Sequence, residues 1–188
     1  MVADSNHTGG DGRIWSVLLG ILILFTAVIF YARHVNIARV EEQTRTPVVA
    51  RYTNYAYAIN LRYPPEWQPV GGQQYDRYEG SDGFFSVSAG GTGDITIDKM
   101  AENEANHALK PYGTEPYIQK LTIDGQDARL ILPSPDQSPS MHGQAVLIVK
   151  YPTLVTIGSQ VYKYLVFWAD RAHIQDIASS ITFLNKLQ

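Results

Sequence analysis

Residues 145–170 read AVLIVKYPTLVTIGSQVYKYLVFWAD, and this stretch decides the fold. It holds three apolar runs, AVLIVKY, TLVTI and VYKYLVFW. Strands covered on one face alternate apolar and polar. Near-continuous apolar runs of this length belong at the centre of a sheet, covered on both faces. We expect Asp170 to cap a closing helix. In it Ile174, Ile177, Ala178 and Ile181 fall at i, i+3, i+4 and i+7, a one-sided apolar stripe.

Upstream, Tyr117–Ile123, Asp124-Gly125 and Ala128–Leu132 read as a hairpin. The Asp-Gly pair supplies the positive φ angles of a tight turn. The helix expected before it runs from Asp98 to Leu109, with Ile97, Ala101, Ala105 and Ala108 on one face and Met100, Glu104 and Leu109 beside them. Asp98 is placed to cap its start, and Pro111 with Gly113 to close its end. Earlier still, Tyr55, Tyr57, Ile59, Leu61 and Tyr63 alternate with smaller or polar residues as a strand does, up to Pro64-Pro65. Short strands follow at Trp67–Val70, Tyr75–Tyr78 and Gly83–Gly91. Strands grouped between helices predict an α+β domain, with helices laid on an antiparallel sheet.

This domain is expected over residues 51–188. Ahead of it lie a polar, glycine-rich tail (1–12), an apolar span (13–33) and a linker (34–50). From Ile14 to Ala32 no residue is charged. As a helix this stretch is roughly 28 Å long, matching a hydrocarbon core of about 30 Å. Trp15 and Tyr31 sit at its ends, where aromatic rings favour the interface. A cleaved signal peptide needs a shorter apolar region and a small-x-small site, but Phe25 and Phe30 stand at the critical positions. No later stretch is as long, so we expect a single-pass, uncleaved anchor. Arg33, Arg39 and Arg45 follow the span and only Arg13 precedes it. The positive-inside rule, read strictly, puts the domain in the cytoplasm. A short tail before a long domain is also the form of an export anchor, and we expect the domain outside the cell membrane.

The chain has 188 residues, a net charge of −3 and no cysteine. Disulfides, thiolate metal sites, Fe–S clusters and cysteine nucleophiles are excluded together. A mildly acidic domain lacks the electrostatic footprint for nucleic acid. The twelve tyrosines fit either sheet propensity or an aromatic contact surface.

Catalytic and cofactor motifs fail on inspection. Glu104 and His107 form an E-x-x-H, but di-iron bundles need two such motifs and further glutamates. We read the pair as a solvated helix face. No H-E-x-x-H occurs, and the five histidines show no pair at ligand spacing. Gly90-Gly91-Thr92-Gly93 lacks the lysine of a P-loop, and Thr96 breaks G-x-G-x-x-G. The serine elbow G-x-S-x-G is absent. Ser134, Asp136, Ser138, Ser140 and His142 crowd one proline-rich loop, Pro133–Gly143, and read as turn formers. A tethered hydrolase working through this loop stays open as the alternative function. Asn6-His7-Thr8 matches a glycosylation sequon, relevant only in a secretory lumen. No catalytic, cofactor or metal residue is assigned. The candidate contact surfaces are Tyr75, Arg77, Tyr78 and Glu79, which mix rings and charges between glycines, and Asp136 and His142 in the loop.

Y-A-I-N-L-R-Y-P-P-E-W (Tyr57–Trp67) resembles the opening of PsbP-like domains, in which a strand runs into Pro-x-x-Trp, here Pro64 and Trp67. T-I-D-G-Q-D-A (Thr122–Ala128) is similar to that family's mid-domain hairpin, and the closing I-T-F (Ile181–Phe183) agrees. K-P-Y-G (Lys110–Gly113) and G-Q-D-A-R-L-I-L-P-S (Gly125–Ser134) resemble extracytoplasmic modules of Gram-positive membrane proteins. Some of those modules are described as relatives of β-lactam-sensing regulatory peptidases. This chain lacks the peptidase's metal motif and multi-span region, so that activity does not carry over. The resemblance implies an α-β-α sandwich, an outside domain and a non-enzymatic accessory role. It transfers no functional residue. The expected function is a membrane-anchored binding or sensing module that touches a membrane or cell-envelope protein or a small ligand.

Overall fold

The structure, a computed structural model, describes residues 27–33, 48–71 and 76–184. The chain divides into two units, residues 1–47 and 48–188. In the first, residues 27–33 are helical and exposed. Among the described residues no helix is long and apolar enough to cross a membrane. The expected tail, most of the expected anchor and nearly all of the expected linker lie outside the described residues.

The second unit is α+β. Its elements in order are β1 (Ala50–Asn54), β2 (Ile59–Tyr63), β3 (Gln68–Pro69), β4 (Asp76–Glu79), β5 (Phe84–Gly90), α1 (Ile97–Ala105), β6 (Tyr117–Ile123) and β7 (Gln126–Leu132). A short 3-10 turn (Pro139–Met141), β8 (Gln144–Ile157), β9 (Gln160–Asp170), α2 (Ile174–Ser179) and β10 (Thr182–Phe183) complete it. Seven strands form an antiparallel sheet in the order β3-β4-β5-β9-β8-β7-β6, and β1-β2-β10 form a second, three-stranded sheet.

The centres of the first and third apolar runs, residues 145–149 and 164–167, are buried on both faces, as expected, but TLVTI is not: Thr153, Leu154 and Thr156 are exposed and Val155 alone of its residues is buried. Leu147, Val149, Leu165 and Phe167 point into one core, which Tyr52, Ile59 and Leu61 of the small sheet and Ile174, Ile177 and Ile181 around α2 close. Their neighbours Val146, Ile148, Tyr164 and Val166 point the other way, onto Ile97, Ala101 and Ala105 of α1. One face is thus covered by a sheet and a short helix, and the other by a single helix.

Several boundaries differ from the expectation, each for a local reason. TLVTI does not form a strand of its own. β8 runs through Pro152 and absorbs the irregularity as a register shift between Lys150 and Val155. A bulge is where a strand tolerates proline. Tyr55–Tyr63 is not one strand either. Asn54 Oδ1 accepts from the N–H groups of Ala56 and Tyr57 at 2.8 and 3.0 Å, turning the chain between β1 and β2. The α1 cap is Thr96, whose hydroxyl accepts from Lys99 N–H at 3.2 Å, not Asp98. The helix stops at Ala105, before Leu109, where Asn106 Nδ2 donates to Glu102 O at 2.8 Å. Asp170 does not cap α2, whose N-cap is His173. It accepts instead from Ala172 and His173 N–H, fixing the turn before the helix. The expected Asp124-Gly125 hairpin forms, with φ of 46° and 74°, and its second strand starts at Gln126, ahead of the expected Ala128.

Candidate functional site

Cross-strand register lines up one row of side chains on the α1 face. Arg77 of β4 pairs with Ser86 of β5, Ser86 with Trp168 of β9, and Trp168 with Val146 of β8. The row continues to Ile131 of β7. Helix α1 covers only the Val146–Ile131 end. A helix is about 10 Å across and strands lie about 4.8 Å apart, so one helix cannot roof seven strands. The rest of the row floors an open groove of about 570 Å³. Ser86, Trp168 and Gln144 line it together with Arg77, and Glu104, His107, Leu109, Pro111 and Met141 complete the lining.

Charge in the groove is arranged unequally. Arg77 is committed: Nε donates to Glu79 at 3.0 Å, Nη1 donates to Ser86 Oγ at 3.3 Å, and the guanidinium lies 3.9 Å over the Phe84 ring. Glu104 is braced from beneath. Its Oε1 accepts from the Tyr112 hydroxyl at 2.6 Å, and that hydroxyl oxygen accepts from Trp168 Nε1–H at 3.0 Å. Tyr112 is fully buried. Burial, and then the Glu104 charge, push its phenol far above the ordinary tyrosine value, so it stays a donor. His107 Nδ1 accepts from Leu109 N–H at 3.2 Å, closing the turn after α1.

The residues singled out from sequence scatter. Tyr75 lies outside the described residues. Arg77 lines the groove and Glu79 is its ion-pair partner. Tyr78 is turned to the opposite face, stacked on Phe85 at 4.9 Å within an aromatic cluster that includes Tyr52 and Tyr63. Asp136 straps two loops together. It accepts from the Ser134 hydroxyl and from Thr114 Oγ1 at 2.6 Å. Those hydroxyls, Ser134 first, hold its carboxyl down at about 2. His142 is exposed, at φ 51°, and its N–H donates to Pro139 O. The Pro133–Gly143 loop reaches the groove through Met141 instead. Its serines are spent in the fold: Ser134 donates to Asp136, and Ser138 and Ser140 bond each other at 2.8 Å.

Glu104 and His107 were visible in the sequence as a motif, but not as groove residues. Which helix flank meets an uncovered sheet depends on packing. Ser86 and Trp168 carried no local signal, since strand register alone brings them together.

A second polar cluster lies on the other side of β5. Asp170 Oδ1 pairs with His173 Nδ1 at 2.8 Å, and Asp170 Oδ2 accepts from Phe84 N–H at 3.1 Å. Asp82 accepts from Trp67 Nε1–H at 2.8 Å and lies 3.7 Å from His173 Nε2. A side chain at Gly83 would collide with Asp170, His173 and Trp67, so the cluster has no room for a ligand there. Among the described residues no group of three or more histidines and carboxylates is arranged to hold a metal ion.

No family model matches the chain, and no curated protein matches it. Among solved structures, the chain is similar to the solution structure of cyanobacterial PsbP (CyanoP) from Synechocystis sp. PCC 6803. The two share 14% identity over 74% of this chain and 95% of that one, with a TM-score of 0.44.

Proposed function

We propose that the chain is a membrane-anchored, extracytoplasmic binding or sensing module without catalytic activity of its own, and that the groove beside α1 is where it binds. The observation that carries this reading is the groove itself. It is an uncovered part of a rigid sheet, lined by a tryptophan, an arginine, a glutamate and a histidine. Concave sites with a few placed polar groups are where ligands bind. The serines that a hydrolase would need are held in hydrogen bonds within the loop. Anchoring is supported by the uncharged span Ile14–Ala32, and the outside placement by the resemblance of Lys110–Gly113 and Gly125–Ser134 to extracytoplasmic modules. We also place the domain with PsbP-like domains, on the strength of the Tyr57–Trp67 motif, and with extracytoplasmic modules of Gram-positive membrane proteins, on the strength of Lys110–Gly113 and Gly125–Ser134. Trp67 is a core residue, 1% exposed.

The test is site-specific photo-crosslinking of the full chain in its membrane. A crosslinker at Leu109, 76% exposed on the groove rim, is compared with one at Leu154, 56% exposed and away from the groove. Discrete adducts at 109 and none at 154 are expected. Equal adducts at both positions would remove the groove from the proposal. Labelling of Ser134, Ser138 or Ser140 by a serine-hydrolase probe would overturn the non-catalytic reading.

A further inference from the structure

We propose that Glu104 makes the groove a receptor for a primary alkylammonium group, an amine at the end of an aliphatic chain. The inference rests on the groove being the binding site and names the chemistry of its ligand. Of the two formal charges on its lining, Arg77 has an ion-pair partner in Glu79. Among the described residues Glu104 makes no ion pair, and its one side-chain hydrogen bond is from the Tyr112 hydroxyl. An anionic ligand would have to displace Glu79 from Arg77. A cationic one meets a carboxylate already fixed in place and lacking a counter-charge.

The geometry also selects among cations. Oε1 already accepts from Tyr112, which leaves Oε2 as the one carboxylate oxygen with no partner among the described residues. A guanidinium gains most from two parallel acceptors, whereas an ammonium is a compact point donor. A bare metal ion would need several hard ligands, and one free carboxylate oxygen does not supply them. Leu109, Pro111 and Met141 offer apolar surface along which a methylene stem can lie. Tyr112 has a positioning role. With Trp168 Nε1–H filling its oxygen, its proton is directed to Glu104.

The amine could come from a lysine side chain of a polypeptide or from a free aliphatic amine. Two probes separate these sources: Nα-acetyl-lysine methylamide and 1,5-diaminopentane. The full chain in detergent micelles is titrated with each, following the Trp168 indole N–H resonance, one of three tryptophan signals. At least one of the two probes should shift that resonance saturably, and 1-pentanol should not. Glu104→Gln should weaken binding by about fivefold, the upper range for a solvent-accessible ion pair. Glu102→Gln, on the same helix but outside the groove, should leave it unchanged. Tyr112→Phe keeps the carboxylate and should weaken binding less than Glu104→Gln does. Response to the lysine amide alone assigns a polypeptide source, and response to the diamine alone a small-molecule source. Binding of 1-pentanol as tight as the amines, or undiminished amine binding by Glu104→Gln, overturns the inference. If the amines fail while the Leu109 adducts persist, the ligand chemistry falls and the groove stands. If both fail, the groove itself is not the site.

Discussion

Asp136 was picked out from the sequence for its neighbours, and its environment gives it a different task. Hydroxyls of Ser134 and Thr114, and the Thr114 N–H, converge on its carboxylate and hold its pKa at about 2. The folded state therefore releases this proton more readily than the unfolded chain does. Its contribution to stability is fully present above the ordinary carboxylate value and is lost as pH falls toward 2. Asp136→Asn should lower stability at neutral pH, and the gap from the parent should close as the pH falls from 4 toward 2. Urea unfolding across that range checks it, and a gap that widens in acid would contradict it. The donors are uncharged, so 0.5 M salt should change the gap little. Glu104 illustrates the converse of Asp136. The sequence showed an E-x-x-H and supported only a solvated face, because nothing local says that the flank of α1 overlooks bare sheet. Its supports, Tyr112 and Trp168, lie 8 and 64 residues downstream, and tertiary packing, not a local pattern, assembles them.

Elements were readable where one local rule governed them. The Asp124-Gly125 turn needs two positive φ angles, and a two-residue pair states that need outright. The stripe of Ile174, Ile177 and Ala178 is similarly plain, since buried residues recur at helical spacing, although the helix ends at Ser179 and Ile181, expected within it, is buried just beyond its end. The β1–β2 turn was missed because tyrosines keep alternating through it. Tyr55 is 83% exposed, and the Asn54 side chain, not the apolar pattern, sets the path there. Helix α1 is marginal by its own sequence. It has nine residues, and isolated helices shorter than about 12 are unstable in water. What holds it is the packing of Ile97, Ala101 and Ala105 on β7 and β8, and the pair of Asp98 with the nearly buried Arg129 at 2.7 Å. Alanines bury little surface, so α1 should open without the sheet opening. Its backbone amides should exchange at least about tenfold faster than those at the centres of β8 and β9. Equal protection throughout, read by native-state hydrogen exchange, would mean that helix and sheet form one cooperative unit. Opening α1 would also remove one wall of the groove, so an amine that binds there should slow exchange in α1 first.

At the scale of the whole molecule, the two faces of the large sheet are used differently. One is closed by the small sheet and α2, with the aromatic cluster of Tyr52, Tyr63, Tyr78 and Phe85 beneath them. The other is half covered, and the groove occupies the remainder. The sequence disclosed that the central strands are buried on both sides, but not how far each cover extends. Composition was neutral on this point, because tyrosine serves equally in a core cluster and on a surface. The compartment that the groove faces depends on the orientation of the proposed anchor, and here two sequence signals oppose each other. Three arginines after the span argue for a cytoplasmic domain, and the resemblance to extracytoplasmic modules argues for export. Thr92→Cys resolves them. The position is exposed in the loop between β5 and α1, next to Gly91 and Gly93, and the chain has no other cysteine to react. A membrane-impermeant maleimide should label it on intact cells. Protection until lysis would place the domain in the cytoplasm and strike out the extracytoplasmic part of the proposal. It would leave the groove and its braced carboxylate as they are, since their geometry is independent of the side of the membrane they face. The search for the amine would then turn to cytoplasmic polypeptides and metabolites instead of the cell envelope.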